Sequence, residues 1–282
     1  MNAQGTRSRR IKLRLEFDGS LFCGWQLQSE EHEARTSSVQ GEMERALRIF
    51  CRSPERVMVQ GCGRTDAGVS AREFFMHCDL PESTSVPNTQ SDLEKLRHSL
   101  NGILPEGVAV TRAESADEKF NALHDVRWKT YEYALLLRRA KPTLDRATSY
   151  WIPEAPENFD IEEVRKTLAV FTGRHDFKAF AASDHTAQTT VREIFRAELV
   201  RENVSAGEPS TEAARLRLRF TGEGFLKYMV RTLSGTLVEV GQGKRDALSV
   251  AKLLEPGILR PASGHCAPAH ALSLVRVSYG EP

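Results

Sequence analysis

No apolar run in the 282-residue chain approaches the roughly 20 residues that a membrane-spanning helix needs, so none is expected. The first residues also lack the apolar core of a secretory signal. Cysteine is scarce: Cys23, Cys51, Cys62, Cys78 and Cys266 are odd in number and form no C-x-x-C pair. That argues against a disulfide framework and a structural zinc site, and fits a reducing, cytoplasmic setting. Neither sign of charge dominates, with 39 Lys and Arg against 38 Asp and Glu. Any surface for nucleic acid must therefore be local and balanced by acids elsewhere.

A phosphate cradle is missing too, although "GCGRTDAGVSA" (61–71) looks at first like one. In a dinucleotide fingerprint the third glycine position would fall on Asp66, whose carboxylate repels a pyrophosphate. In a P-loop, Gly63 and Gly68 have the right spacing, but Val69 stands where lysine must be. An aspartic protease wants Asp-Thr-Gly, and here the order is Thr-Asp-Ala. A glycine-permitted turn remains, with Gly63 and Gly68 expected at positive φ and Asp66 set beside Arg64.

What is present is a series of strand and helix patterns, not in strict βαβ alternation. "IKLRLEF" alternates Ile11, Leu13, Leu15 and Phe17 with charged residues, as a half-buried strand does. Ahead of Glu16 lie only bases: Arg7, Arg9, Arg10, Lys12 and Arg14. This arm reads as a disordered basic tail, with an RNA-touching tail or a transit peptide as alternatives. "SSVQGEMERALRIF" predicts a helix with Ser37 and Gln40 as its capping box, and "SDLEKLRHSLNGIL" another, with Ser91 and Glu94. "RVMVQ" and "REFFMHCDL" read as strands, the latter with Phe74, Met76, Cys78 and Leu80 on one face. A second series follows. It comprises the strand "YEYALLL", a helix "DIEEVRKTLAVF", two strands "VREIFRAELV" and "RLRLRF" joined by a polar hairpin (201–214), and a helix "GFLKYMVRTLSGTLVEV" closed by Gly241. A short helix near 246–254 and a last strand "ALSLVRVSY" end the chain. Strands in neighbouring runs with helices between them indicate an α+β fold with largely antiparallel sheets.

At this point the residues match a known family. "GRTDAGV" closely resembles the signature of the tRNA pseudouridine synthase A family, and further segments are similar in order along the chain. They include "LRLEFDGSLFCGWQLQ", "SSVQGEMERAL", "FNALHDVRWKTYEYALL", "GRHDFKAF", "TVREI", "GFLKYMVRTLSGTLVEVG" and "APAHALSLVRVSY", so the likeness runs from about residue 11 to 280. The resemblance implies two α/β lobes with largely antiparallel sheets flanked by helices and an active-site cleft between them. They are expected at 1–118, with the catalytic Asp loop, and at 119–282, with a Tyr strand and an Arg helix. It also implies a cytoplasmic homodimer that clamps tRNA, isomerises uridines 38–40 of the anticodon stem-loop, and uses neither metal nor organic cofactor.

By the same resemblance Asp66 is the catalytic residue and Arg231 its ion-pair partner. Tyr131 matches a tyrosine on which the base stacks, and Arg64 an arginine that intrudes where the flipped base was. Whether Asp66 attacks as a nucleophile or removes a sugar proton stays open. Tyr133, two residues on, reads as core, and Trp25 and Phe177 as packing anchors. Arg127, Lys129, Lys178, Arg192 and Lys227 are candidates for phosphate contacts. Three positions depart from the family pattern: Ser70 replaces a frequent histidine, Leu123 an arginine and Ala271 a glycine. The lost arginine bears on substrate range more than on catalysis. Rival readings are the same chemistry on other tRNA positions or RNAs, and a tRNA-binding chaperone without catalysis.

Overall fold

In the computed structural model, which describes residues 9–81, 84, 89–184, 186–202 and 213–281, the chain divides into two compact units. One runs through Arg127 and is joined by Val275–Pro282; the other is Trp128–Leu274. The first contains β1 (Arg9–Phe17), a single turn α1 (Glu30–Glu33), α2 (Val39–Cys51), β2 (Val59–Gly61), β3 (Ser70–Leu80), α3 (Gln90–Ile103) and β4 (Val108–Ser115). The second contains β5 (Trp128–Arg138), β6 (Tyr150–Ile152), α4 (Ile161–Val170), β7 (Gly173–Asp176), β8 (Val191–Glu202), β9 (Ala213–Gly222), α5 (Met229–Gly241) and α6 (Ala247–Lys252). The last strand, β10 (Leu272–Ser278), begins in the second unit and ends in the first. The α+β class with mostly antiparallel pairing holds; β6 beside β5 is a parallel pair.

In the first unit the period-2 pattern of β1 does what alternation predicts. Ile11, Leu13 and Leu15 stand opposite Cys78, Met76 and Phe74 on β3, and all six are buried. The helix α3 packs along β4, and α2 against α3 and β2. Both helices are capped close to the expected serines, but not by them. For α2 the cap is Ser38, whose hydroxyl accepts from Gly41 N–H at 3.0 Å. For α3 it is Thr89, in a reciprocal capping box with Asp92. Ser, Thr and Asp are near-equal caps, so tertiary contacts select among adjacent candidates.

The basic arm is not a tail from Arg9 onward. Strand β1 starts there, Arg10 makes a two-pronged ion pair with Asp79 at 2.8 and 2.6 Å, and Arg14 pairs with Glu73 at 3.2 Å. The Lys12 ammonium lies over three rings, Phe75, Phe120 and Tyr279, at 4.6, 4.9 and 4.0 Å from their centroids. These bases are held by the outer face of the sheet. Arg7 lies outside the described residues.

The same face explains why the first unit extends to Arg127 rather than to residue 118. Ala116 N–H donates to Arg10 C=O, Arg10 donates to Phe120 C=O, and Arg127 N–H donates to Ser278 C=O. The buried His77 accepts the Ala122 N–H on Nδ1 at 3.1 Å, and its ring meets Phe120. Burial and the nearby Arg10 pull the His77 pKa below its ordinary 6.5, against weaker opposing pulls from Asp79 and Asp125. The unfolded chain then binds a proton that the folded one refuses, so stability is complete above about pH 6.5 and falls as pH drops below it. We expect His77→Gln to flatten that slope between pH 7.5 and 5.5 in urea unfolding. An unchanged slope would assign it to another group.

In the second unit β5, β9, β8 and β7 form an antiparallel run in that order. Tyr133, Leu135 and Leu137 on β5 and Leu216, Leu218 and Phe220 on β9 are buried together with Leu233, Leu237 and Val240 of α5. The alternate positions of "RLRLRF" turn outward. There Arg219 pairs with Glu132 and Glu198, Arg217 with Glu202, and Arg215 with Asp145. The predicted hairpin between β8 and β9 falls largely on 203–212, outside the described residues. The apolar pattern places α5 from residue 224, but the helix starts only at Met229. Tyr228 adopts a left-handed conformation, φ 64°, and breaks the helix there.

Candidate functional site

The Asp66 loop is held from beneath by a chain of backbone hydrogen bonds that begins at a helix end. The first N–H groups of a helix have no intrahelical partner. In α2, those of Val39 and Gln40 donate to the carbonyls of Gly24 and Trp25 at 3.1 and 3.0 Å. Trp25 N–H in turn donates to Thr65 C=O at 3.3 Å. Gln40, expected as a capping-box residue, instead bonds Gln26 and Leu27 N–H through Oε1, both at 3.0 Å, and donates to Glu44. The "CGWQ" loop is thereby fixed to α2, and Asp66 follows directly after the residue it grips.

Asp66 itself opens a tight turn: its carbonyl accepts from Val69 N–H at 3.1 Å, with Gly68 at φ 82°. That angle at the third position is the type II requirement that glycine satisfies. Gly63, expected at positive φ as well, is not among the residues that adopt it. Instead Gly24 is, at φ 108°, where an added Cβ would sit 2.7 Å from the Thr65 carbonyl oxygen. Gly24→Ala is expected to cost about 2–3 kcal/mol in urea unfolding and to lower turnover beyond that loss, because it pushes on the residue before Asp66. Full activity in the folded variant would show the brace to be irrelevant. Ser70, a departure from the family pattern, has a local role: its hydroxyl accepts from Gly19 N–H at 3.0 Å. Asp66 is half-buried and Arg64 is exposed. The Thr65 hydroxyl between them is buried without a hydrogen-bond partner.

In the second unit, one connection gathers the other two candidates. The segment from Glu223 to Tyr228 joins β9 to α5, tied to its surroundings by Ala182 N–H donating to Lys227 C=O at 2.9 Å. From it Phe225 meets the Tyr131 ring edge-on, centroids 5.1 Å apart at 82°. The ring of Tyr228 lies 4.9 Å from the Arg231 guanidinium carbon. Arg231 Nε donates to Ala267 C=O at 2.8 Å, and Ala267 N–H returns a bond to Arg231 C=O. Tyr131 is 9% exposed, whereas Tyr133 is fully buried and donates its hydroxyl to Pro268 C=O at 2.9 Å. The two tyrosines thus differ as their alternation alone cannot show.

The structure therefore places Asp66 and Arg64 on one turn of the first unit, and Tyr131 and Arg231 in the second, on β5 and α5, each against an aromatic ring of the 223–228 connection. Of the phosphate-contact candidates, Lys227 pairs with Asp184 at 2.6 Å and Arg192 donates to Thr189 and Val191 carbonyls. Lys178 and Arg127 are exposed and Lys129 is half-exposed. Trp25 and Phe177 are buried, consistent with packing. Leu123 is 39% exposed and Ala271 buried. Sequence reasoning missed Phe225 and Tyr228; aromatic residues directly before and directly after the "Leu-Lys" of "GFLKYMV" gave no periodic signal.

Comparison with known proteins identifies the family. Residues 168–280 match the model of a family described as tRNA pseudouridine synthase. A tRNA pseudouridine synthase A from Citrifermentans bemidjiense is 38% identical over 273 residues, 97% of this chain and 98% of the relative. One from Geobacter sp. strain M21 is 37% identical across 97% of this chain and its own whole length. One from Clostridium botulinum (strain Eklund 17B) is 33% identical across 96% of this chain and 100% of its own. Identity of 33–38% along nearly the whole length of the chain leaves one assignment: the chain belongs to the tRNA pseudouridine synthase A family of isomerases.

Proposed function

We propose that this chain converts uridine to pseudouridine in the anticodon stem-loop of tRNA, at positions 38–40, with Asp66 as the catalytic carboxylate. The observation that carries the reading is the braced Asp66 turn in a chain that matches synthases of this family over nearly its full length. The reaction breaks the bond from uracil N1 to the ribose, turns the base and rejoins it through C5, which loses its proton while N1 gains one. Nothing is oxidised or reduced and no group is donated from outside. One ionised carboxylate meets the chemical need, as a nucleophile or as a base.

In this reading Arg231 pairs with Asp66 and keeps it ionised, as an opposite charge beside a carboxylate does. Tyr131 offers the extruded base a ring to stack on, and Arg64 enters the space the base vacates. The meeting of the two pairs of residues in one cleft, the cytoplasmic setting and the action as a homodimer belong to the proposal. Tritium release from tRNA labelled at uridine C5, without added nucleotide, tests the activity; sequencing of the modified sites in the same reaction tests the position. Release with no product at 38–40 would move the reading to other uridines. Binding without release would favour a chaperone.

A further inference from the structure

Tyr228 sits where local preference disfavours it twice. Among the described residues only it and Arg52 are non-glycine residues at positive φ. Arg52 is at the C-terminal cap of α2, where left-handed backbone is common. Tyr228 is at the N-terminal cap of α5, φ 64° and ψ −1°, where extended backbone and a Ser, Thr, Asp or Asn side chain are usual. It makes no side-chain cap bond. Strain of this kind persists only where the surroundings enforce it, and it collects at functional sites.

The conformation achieves two contacts. The Tyr228 carbonyl accepts from both the N–H and the hydroxyl of Thr232, at 2.9 and 3.1 Å, which secures the first turn of α5. Its ring lies 4.9 Å from the Arg231 guanidinium and 5.2 Å from the Lys227 ammonium. A guanidinium is planar, so its working orientation depends on what meets its face as well as on the hydrogen bonds at its edge. Ala267 C=O holds the Nε edge. The aromatic ring adds a cation–π contact to the same guanidinium.

We infer that Tyr228 is a positioning residue for Arg231: its strained backbone lays the ring against the guanidinium and fixes that side chain in its working orientation. This rests on the reading that Arg231 serves the reaction. Three variants test it, assayed by tritium release and thermal unfolding. Tyr228→Asn relieves the backbone, since asparagine tolerates left-handed φ and caps helices well, but it removes the ring. It is expected to keep or raise Tm while kcat falls about tenfold, with KM for tRNA changed less than about twofold. Tyr228→Phe keeps the ring and is expected to retain wild-type kcat within about twofold; Tyr228→Ala should match Tyr228→Asn in kcat. A purely structural role predicts that activity follows Tm. Tyr228→Asn with unchanged kcat, or Tyr228→Phe as slow as Tyr228→Ala, would overturn the inference. An inactive wild type would instead overturn the proposed function, so the two failures are distinguishable.

Discussion

Asp66→Asn is expected to reduce tritium release from C5-labelled tRNA by at least about 10³-fold while shifting Tm by only a few degrees. The substitution is nearly isosteric, and two backbone hydrogen bonds that brace the loop survive it. Trp25 N–H grips Thr65 C=O, and the turn closes through the Asp66 carbonyl and Val69 N–H. Neither bond involves the carboxylate. The amide, however, can neither attack carbon nor accept a proton at neutral pH, so both routes open to Asp66 fail together. The folded, inert variant should still bind tRNA, because phosphate contacts dominate affinity. Residual turnover above about one per cent of wild type would remove Asp66 from the chemistry, whatever the likeness of the surrounding motif.

Phe74→Ala is expected to produce the largest loss of stability, about 4 kcal/mol in urea unfolding. Phe74 is fully buried and stands opposite Leu15 across β1 and β3. Its ring meets Phe17 edge-on with centroids 5.5 Å apart and lies 4.2 Å from the ring of Trp25. Truncation removes a large apolar surface and leaves a cavity that neighbours on a hydrogen-bonded sheet cannot collapse to fill. The loss also reaches the site, because the Trp25 ring leans on Phe74 while its N–H holds the residue before Asp66. Turnover in the surviving folded fraction should therefore fall as well. As a control, Leu144→Ala, at a side chain 92% exposed, should change stability by less than about 0.5 kcal/mol. A cost below about 1.5 kcal/mol for Phe74→Ala would mean that the core around Trp25 repacks freely.

These two effects mark what was legible in the chain. The alternation of Ile11, Leu13, Leu15 and Phe17, and of Phe74, Met76, Cys78 and Leu80, by itself identifies which side chains share the buried face. The failure of "GCGRTDAGVSA" as a phosphate loop is equally a matter of chemistry, since no fold makes a carboxylate welcome a pyrophosphate. Helix starts were less legible. Ser37 and Ser38 are chemically identical candidates, and Ser91 competes with Thr89. The carbonyls of Gly24 and Trp25 occupy the N–H groups of Val39 and Gln40 and so set where α2 begins. The start of α5 was misplaced for a similar reason: the apolar pattern runs on through Phe225 and Leu226, but Tyr228 turns left-handed.

Side-chain period, turn chemistry and the position of one acid are local properties, and the sequence by itself determined them: the α+β class, the buried faces, the Asp66 turn and the family likeness. Tertiary structure alone decided which residues hold those parts in place. It put Lys12 among Phe75, Phe120 and Tyr279, which come from three separated parts of the chain, and started β1 at Arg9, inside the basic arm. It fastened residues 116–127 to the first unit through Arg10, His77 and Ser278. It bent Tyr228 against its own backbone preference. The physical reason is one of scale: local preferences differ by about 1 kcal/mol or less per residue, and contacts between distant segments together outweigh them.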